Sequence, residues 1–140
     1  MTLGERALAA GLLWLRVLTG AGVAYHGFGK IFGGRMDGFA KGVEAMGFPA
    51  PGAFAWAAAL SESVGGVLLV AGLATRPAAL LVFATMCVAV FMKHRSDPLA
   101  VKELALAYWT AAGALFLAGP GVFSVDKLLD FEGRRRRPKL

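Results

Sequence analysis

The sequence predicts an all-α fold: an integral membrane bundle of four helices, with an interfacial segment between the first and second helices and a short amphipathic helix near the C-terminus. Three observations predict it. Hydrophobic residues make up 57% of the 140 positions and charged residues 17%, with a mean hydropathy of +0.62. A soluble domain this small needs more charge to cover its surface. Four apolar runs are each of helix length, and about 20 apolar residues cross a bilayer as a helix. Finally, the basic residues cluster at the ends of those runs and in a tail. The net charge of +6 therefore marks membrane boundaries and does not mark a nucleic-acid surface.

The first run, about residues 8–28, starts after Arg6 in the manner of a signal peptide. Arg16 interrupts it, and it continues apolar to Phe28, longer than a signal's apolar core, so it reads as a retained span. Gly20, Ala24 and Gly27 lie close to the Arg16 stripe and allow a second backbone to approach. His26 and Lys30 are one helical turn apart. Residues 31–51 form a glycine-rich connection in which Phe39, Val43 and Met46 recur at helical spacing. That pattern fits a short amphipathic helix on the membrane surface, with a plain loop as the alternative. The second helix, about residues 52–74, carries Glu62 near its middle. It sets Ala57, Ser61 and Gly65 on one ridge and Ala58, Glu62 and Gly66 on the next, so Glu62 faces a neighbouring helix.

The third helix, about residues 77–92, starts at Pro77 and ends in Lys93-His94-Arg95. The fourth, about residues 99–118, sets Glu103, Ala107, Thr110 and Ala114 on one face. Ser124 and Asp126 offer caps for a terminal helix over residues 125–131. Residues 1–132 form one membrane domain, and 133–140 form a basic tail suited to anionic lipid. Four spans put both termini on one side, and the lysine and arginine bias favours the cytoplasm. The single cysteine, Cys87, lies in an apolar run where a thiolate is disfavoured.

Two charges are stranded in apolar sequence, Arg16 and Glu62. Both fall near the middle of antiparallel helices, where a mutual ion pair is the cheapest arrangement. His26, Lys30, His94 and Glu103 gather at the non-cytoplasmic end. Together these residues predict a polar funnel open to one face. Tyr25 and Trp56 read as interfacial anchors. Tyr108 and Trp109 lie deeper, either packing between protomers or lining a ligand.

Several motifs occur in order along the chain: Leu15-Arg16, Tyr25-His-Gly-Phe-Gly-Lys30, Glu62-Ser-Val-Gly-Gly66, Gly72-Leu-Ala-Thr-Arg76, Lys93-His94, Glu103 and Gly119-Pro-Gly-Val-Phe-Ser-Val-Asp126. In this order and spacing the chain resembles the DoxX-like membrane proteins. The resemblance implies a four-helix protein of a bacterial or archaeal inner membrane. It also implies a small subunit of a quinone-linked oxidoreductase, the type to which a thiosulfate:quinone oxidoreductase belongs.

Under that resemblance, His26, Lys30, His94, Arg16 and Glu62 are candidates to bind a quinone head group. Glu62, Arg16 and Glu103 are the catalytic candidates, Glu62 and Glu103 as proton relays and Arg16 as a hydrogen-bond donor. The opposing reading makes Arg16–Glu62 and His94–Glu103 structural pairs. A haem or metal held by His26, His94 and Glu103 is a weaker alternative, because no local ligand motif supports it. A further alternative is a non-catalytic scaffold that recruits a soluble redox partner, or a small-solute carrier. Self-association is open in every case.

Overall fold

The computed structural model describes residues 1–136, with side chains described as far as Asp130. All its regular elements are helical: α1 (Leu3–Ile31), α2 (Met36–Ala45), α3 (Pro51–Ala71), α4 (Thr75–Val88, continued by a π-helical turn Ala89–Lys93), α5 (Leu99–Ala118) and α6 (Val125–Arg136). Four of them are long and apolar enough to span a membrane: α1, α3, α4 with its π turn, and α5. Trp14, Leu60, Val64, Val67, Leu80 and Leu117 face outward along these helices, as lipid-facing side chains do. The protein is a multi-pass membrane bundle.

α1 begins five residues earlier than its apolar run. Thr2 and Glu5 form a reciprocal capping box, in which the Thr2 hydroxyl accepts from Glu5 N at 3.2 Å and Glu5 Oε2 accepts from Thr2 N at 2.7 Å. This satisfies donors that the first turn leaves free. The connection after α1 is not a plain loop. α2 is a true helix that packs against α3 and buries Val43.

α1 and α3 form the tightest pair in the bundle. Gly20 and Ala24 lie against Gly66, and Gly27 lies against Ser63 and Glu62. A Cβ on Gly66 would stand 2.6 Å from Gly20 O and from Ala24 N, so only glycine lets the two backbones meet. This contact fixes the antiparallel register: Glu62 is level with the last turn of α1, and Arg16 is level with Gly72. The predicted Arg16–Glu62 pair is therefore wrong. The two lie about ten residues apart along α3, or about 15 Å. Midpoint counting failed because α1 and α3 are staggered along their axes, so that the middle of α3 meets the last turns of α1 and not its middle.

α3 ends three residues before its apolar run does. Gly72 takes a left-handed φ of 69°, with Gly72 N bonding Leu68 O at 2.8 Å and Leu73 N bonding Leu68 O at 3.0 Å. A side chain there would also strike Ser124 and the Arg16 guanidinium.

Arg16, 2% exposed, donates from Nη1 to Pro120 O at 2.5 Å and from Nη2 to Phe123 O at 2.6 Å. It thereby ties the chain after α5 to α1. Asp126 does not cap its own helix as expected. Its carboxylate accepts from Ala74 N at 2.7 Å and Thr75 N at 2.9 Å, capping α4 from a distance and starting that helix at Thr75. Ser124 caps α6 as predicted, accepting from Lys127 N at 3.2 Å. Burial pushes the Asp126 carboxyl up, but the Thr75 and Ala74 amides and the Arg16 charge outweigh it and hold the group below the ordinary carboxylate range.

Tyr108 and Trp109 pack within the chain. Trp109 stacks on Phe83 with ring centres 5.4 Å apart and donates to Cys87 Sγ at 3.1 Å, while the Tyr108 hydroxyl lies against Gly22. Tyr25 and Trp56 are exposed. The basic side chains of the tail, 133–140, lie outside the described residues.

Candidate functional site

At the end of the bundle away from Arg16, α2, α3 and α4 enclose a cavity of about 510 Å³. Its walls are mostly apolar. Phe39, Val43 and Met46 come from α2, Phe48 and Phe54 flank the start of α3, and Leu81, Ala84 and Val88 come from α4. Ala57, Leu81 and Ala84 on this lining are exposed, so the apolar wall reaches the outer surface of the spans α3 and α4.

Six polar side chains converge on it. Glu62, with its side chain 5% exposed, is bonded by Lys30 Nζ, whose side chain is 23% exposed. The same Nζ sits 4.4 Å over the centre of the Phe39 ring, so α2 supplies a second face for the cation. The hydroxyls of Ser61 and Thr85 meet at 3.1 Å across the α3–α4 seam. Lys93 and His94 line the cavity from the end of α4. His94 Nδ1 lies 2.7 Å from Asp97 Oδ2, which leaves Nε2 free of that contact.

The local backbone explains these placements. Lys30 lies in the last turn of α1, and the tight α1–α3 register brings that turn beside Glu62. Lys93 ends the π-helical turn, with His94 just beyond it, and such wide turns recur at functional sites.

Of the residues predicted for a site, the structure brings Lys30, Glu62 and His94 together on one cavity. It separates the others. Arg16 is at the opposite end of the bundle. His26 is exposed on α1, with its ring 6.0 Å from that of Tyr108 and 5.7 Å from that of Tyr25. Glu103 is exposed on α5 and does not line the cavity. The site predicted over three helices thus has a different lining: α2 contributes Phe39, Val43 and Met46, and no α5 residue lines the cavity. His26, His94 and Glu103 do not come together, and among the described residues no three His, Cys, Asp or Glu side chains are grouped as a metal would require.

Sequence reasoning missed Lys93 as a lining residue and missed the aromatic wall. The signal for the wall was present in the spacing of Phe39, Val43 and Met46. That apolar face covers the cavity, where the sequence reading had turned it toward the membrane surface.

The arrangement resembles a ligand site more than a closed core. A buried carboxylate already holding a cation can accept or return a proton through that partner, and the ring-lined walls accept a flat apolar group. A sequence model of the DoxX family matches residues 11–95, more than half of the chain and every span except α5. The chain belongs to the DoxX family. The match includes every cavity-lining residue and stops before Glu103 and the Gly119–Asp126 motif. No curated protein and no solved structure matches the chain.

Proposed function

We propose that this DoxX-family protein is the membrane subunit of a quinone-linked redox system and that its cavity receives the quinone head group. One observation carries this reading. A cavity of about 510 Å³, ring-lined and walled in part by exposed apolar residues of two spans, has an ion-paired Glu62–Lys30 at its edge and further donors, Lys93 and His94, in its lining. Quinone carbonyls need hydrogen-bond donors, and Lys30, Lys93 and His94 can donate. Reduction of a quinone consumes protons, and Glu62 beside Lys30 is placed to pass one. The electron donor would come from a partner subunit.

The DoxX resemblance implies a bacterial or archaeal inner membrane, and the bias of basic residues supports both termini in the cytoplasm. The cavity then faces the non-cytoplasmic side. Binding of a short-chain quinone to the purified protein tests the proposal. Wild type binds and Glu62→Gln loses at least tenfold in affinity; equal affinity in a folded Glu62→Gln protein removes Glu62 from the site.

The second reading, recruitment of a soluble redox enzyme, draws on Asp37, Lys41 and Glu44, which are exposed on α2. It gains support if a redox enzyme co-purifies while the isolated chain binds no quinone.

A further inference from the structure

Once Glu62 has taken Lys30, the cavity retains a cation that no acid in its lining neutralises. Lys93 lines the cavity from the π turn, and its Nζ lies 3.7 Å from where a Cβ on Gly42 would stand. The side chain therefore reaches from the end of α4 toward α2 across the mouth. Among the described residues Lys93 forms no ion pair. The nearby acid Asp97 is held by His94 Nδ1. The charged groups of the lining are thus one paired carboxylate, its lysine and a second lysine, with His94 beside them. Beyond them lie apolar walls that run to exposed Ala57, Leu81 and Ala84 at the lipid side.

We infer that this cavity binds a single-chain amphiphile with an anionic head group, the head at Lys93 and His94 and the chain leaving between α3 and α4. An anion completes the charge at the mouth. A neutral head can accept a hydrogen bond from Lys93 but leaves it without a counter-charge, and a cationic head meets that uncompensated lysine. The apolar walls account for the chain, which a small inorganic anion would leave unused. The inference rests on the cavity being a ligand site, as above, but it does not require the ligand to be redox-active.

The test uses the full chain in phosphatidylcholine nanodiscs, photolabelled with a diazirine-bearing palmitate, with labelled peptides mapped by mass spectrometry. Palmitate, hexadecyl phosphate, hexadecanol, hexadecyltrimethylammonium and decylubiquinone are the competitors. The label is expected on residues 39–58 and 81–94. Palmitate or hexadecyl phosphate should displace it at least tenfold better than hexadecanol, and which of the two is stronger identifies the head as carboxylate or phosphate. Lys93→Gln should abolish that preference and Lys93→Arg should keep it.

Equal displacement by the alcohol or the ammonium compound overturns the inference. So does an unchanged preference in Lys93→Gln, or label spread over the outer faces of α1 and α5, which would mean that Lys93 merely meets bulk lipid. The quinone arm separates the two readings. Displacement by palmitate without displacement by decylubiquinone keeps this inference and sinks the quinone proposal. The reverse pattern sinks this inference and keeps the quinone proposal.

Discussion

Arg16 and Glu62 are buried almost equally, at 2% and 4% exposure, yet their surroundings differ in kind. Arg16 is enclosed by backbone: two carbonyls accept its protons, Gly72 presses on its guanidinium, and Asp126 adds a nearby negative charge. That end of the bundle is a latch, holding the segment after α5 against α1 and the start of α4. Glu62 has a single cationic partner on one side and a cavity on the other. A charge deep in a membrane protein is therefore not by itself a sign of chemistry. What separates the two is whether a reachable void adjoins the charge.

The largest effect should come from breaking the latch. Arg16→Met leaves the carbonyls of Pro120 and Phe123 without donors and should cost about 3 kcal/mol or more in denaturation measurements. Ligand affinity of the protein that remains folded should stay within about twofold of wild type. If instead affinity collapses while stability holds, the division into latch and site is wrong.

Glu62→Gln should invert that pattern. Lys30 is partly exposed and can turn outward, so the stability loss should be smaller, about 1–2 kcal/mol, while cavity binding falls at least tenfold.

Asp126→Asn should cost about 1 kcal/mol at neutral pH, the usual worth of a helix cap. Its pH dependence follows from the depressed folded value. The stabilisation from Asp126 is complete above the unfolded carboxylate range, about pH 3.9, and is lost as pH falls through the lower folded value. The stability gap between wild type and Asp126→Asn should thus be full at pH 6 and close on acidification below about pH 4. A gap that widens there contradicts the assignment.

The smallest effect belongs to Thr85→Val, which removes one hydroxyl from the Ser61 pair at the cavity wall. The expected cost is about 1 kcal/mol or less.

Much of the fold was legible in the sequence because hydrocarbon demands it. Apolar runs of spanning length, glycine-proline breaks and basic ends placed the four spans. The small-residue ridges through Gly20, Ala24, Gly27 and Gly66 correctly named the packing faces. The site was only partly legible, for a specific physical reason. Depth was counted from the middle of each apolar run, but α1 and α3 are staggered, so the middle of α3 meets the last turns of α1. The same glycines held the correct answer, because seating Gly20 and Ala24 on Gly66 and Gly27 on Ser63 puts Lys30 beside Glu62. Two features had no local signature: the remote cap that Asp126 gives α4, and the π turn that carries Lys93 and His94. Both arise from contacts or backbone geometry that one segment read alone does not specify.

The central claim is that Glu62 answers to Lys30 and not to Arg16. Double-mutant cycles on stability test it most directly, pairing Glu62→Leu with Lys30→Met and, separately, with Arg16→Met. Contacting residues couple, while residues well apart add within about 0.5 kcal/mol. The account predicts a coupling of about 1 kcal/mol or more for Lys30 with Glu62 and simple additivity for Arg16 with Glu62. Strong coupling of Arg16 with Glu62, together with additivity for Lys30, would contradict it.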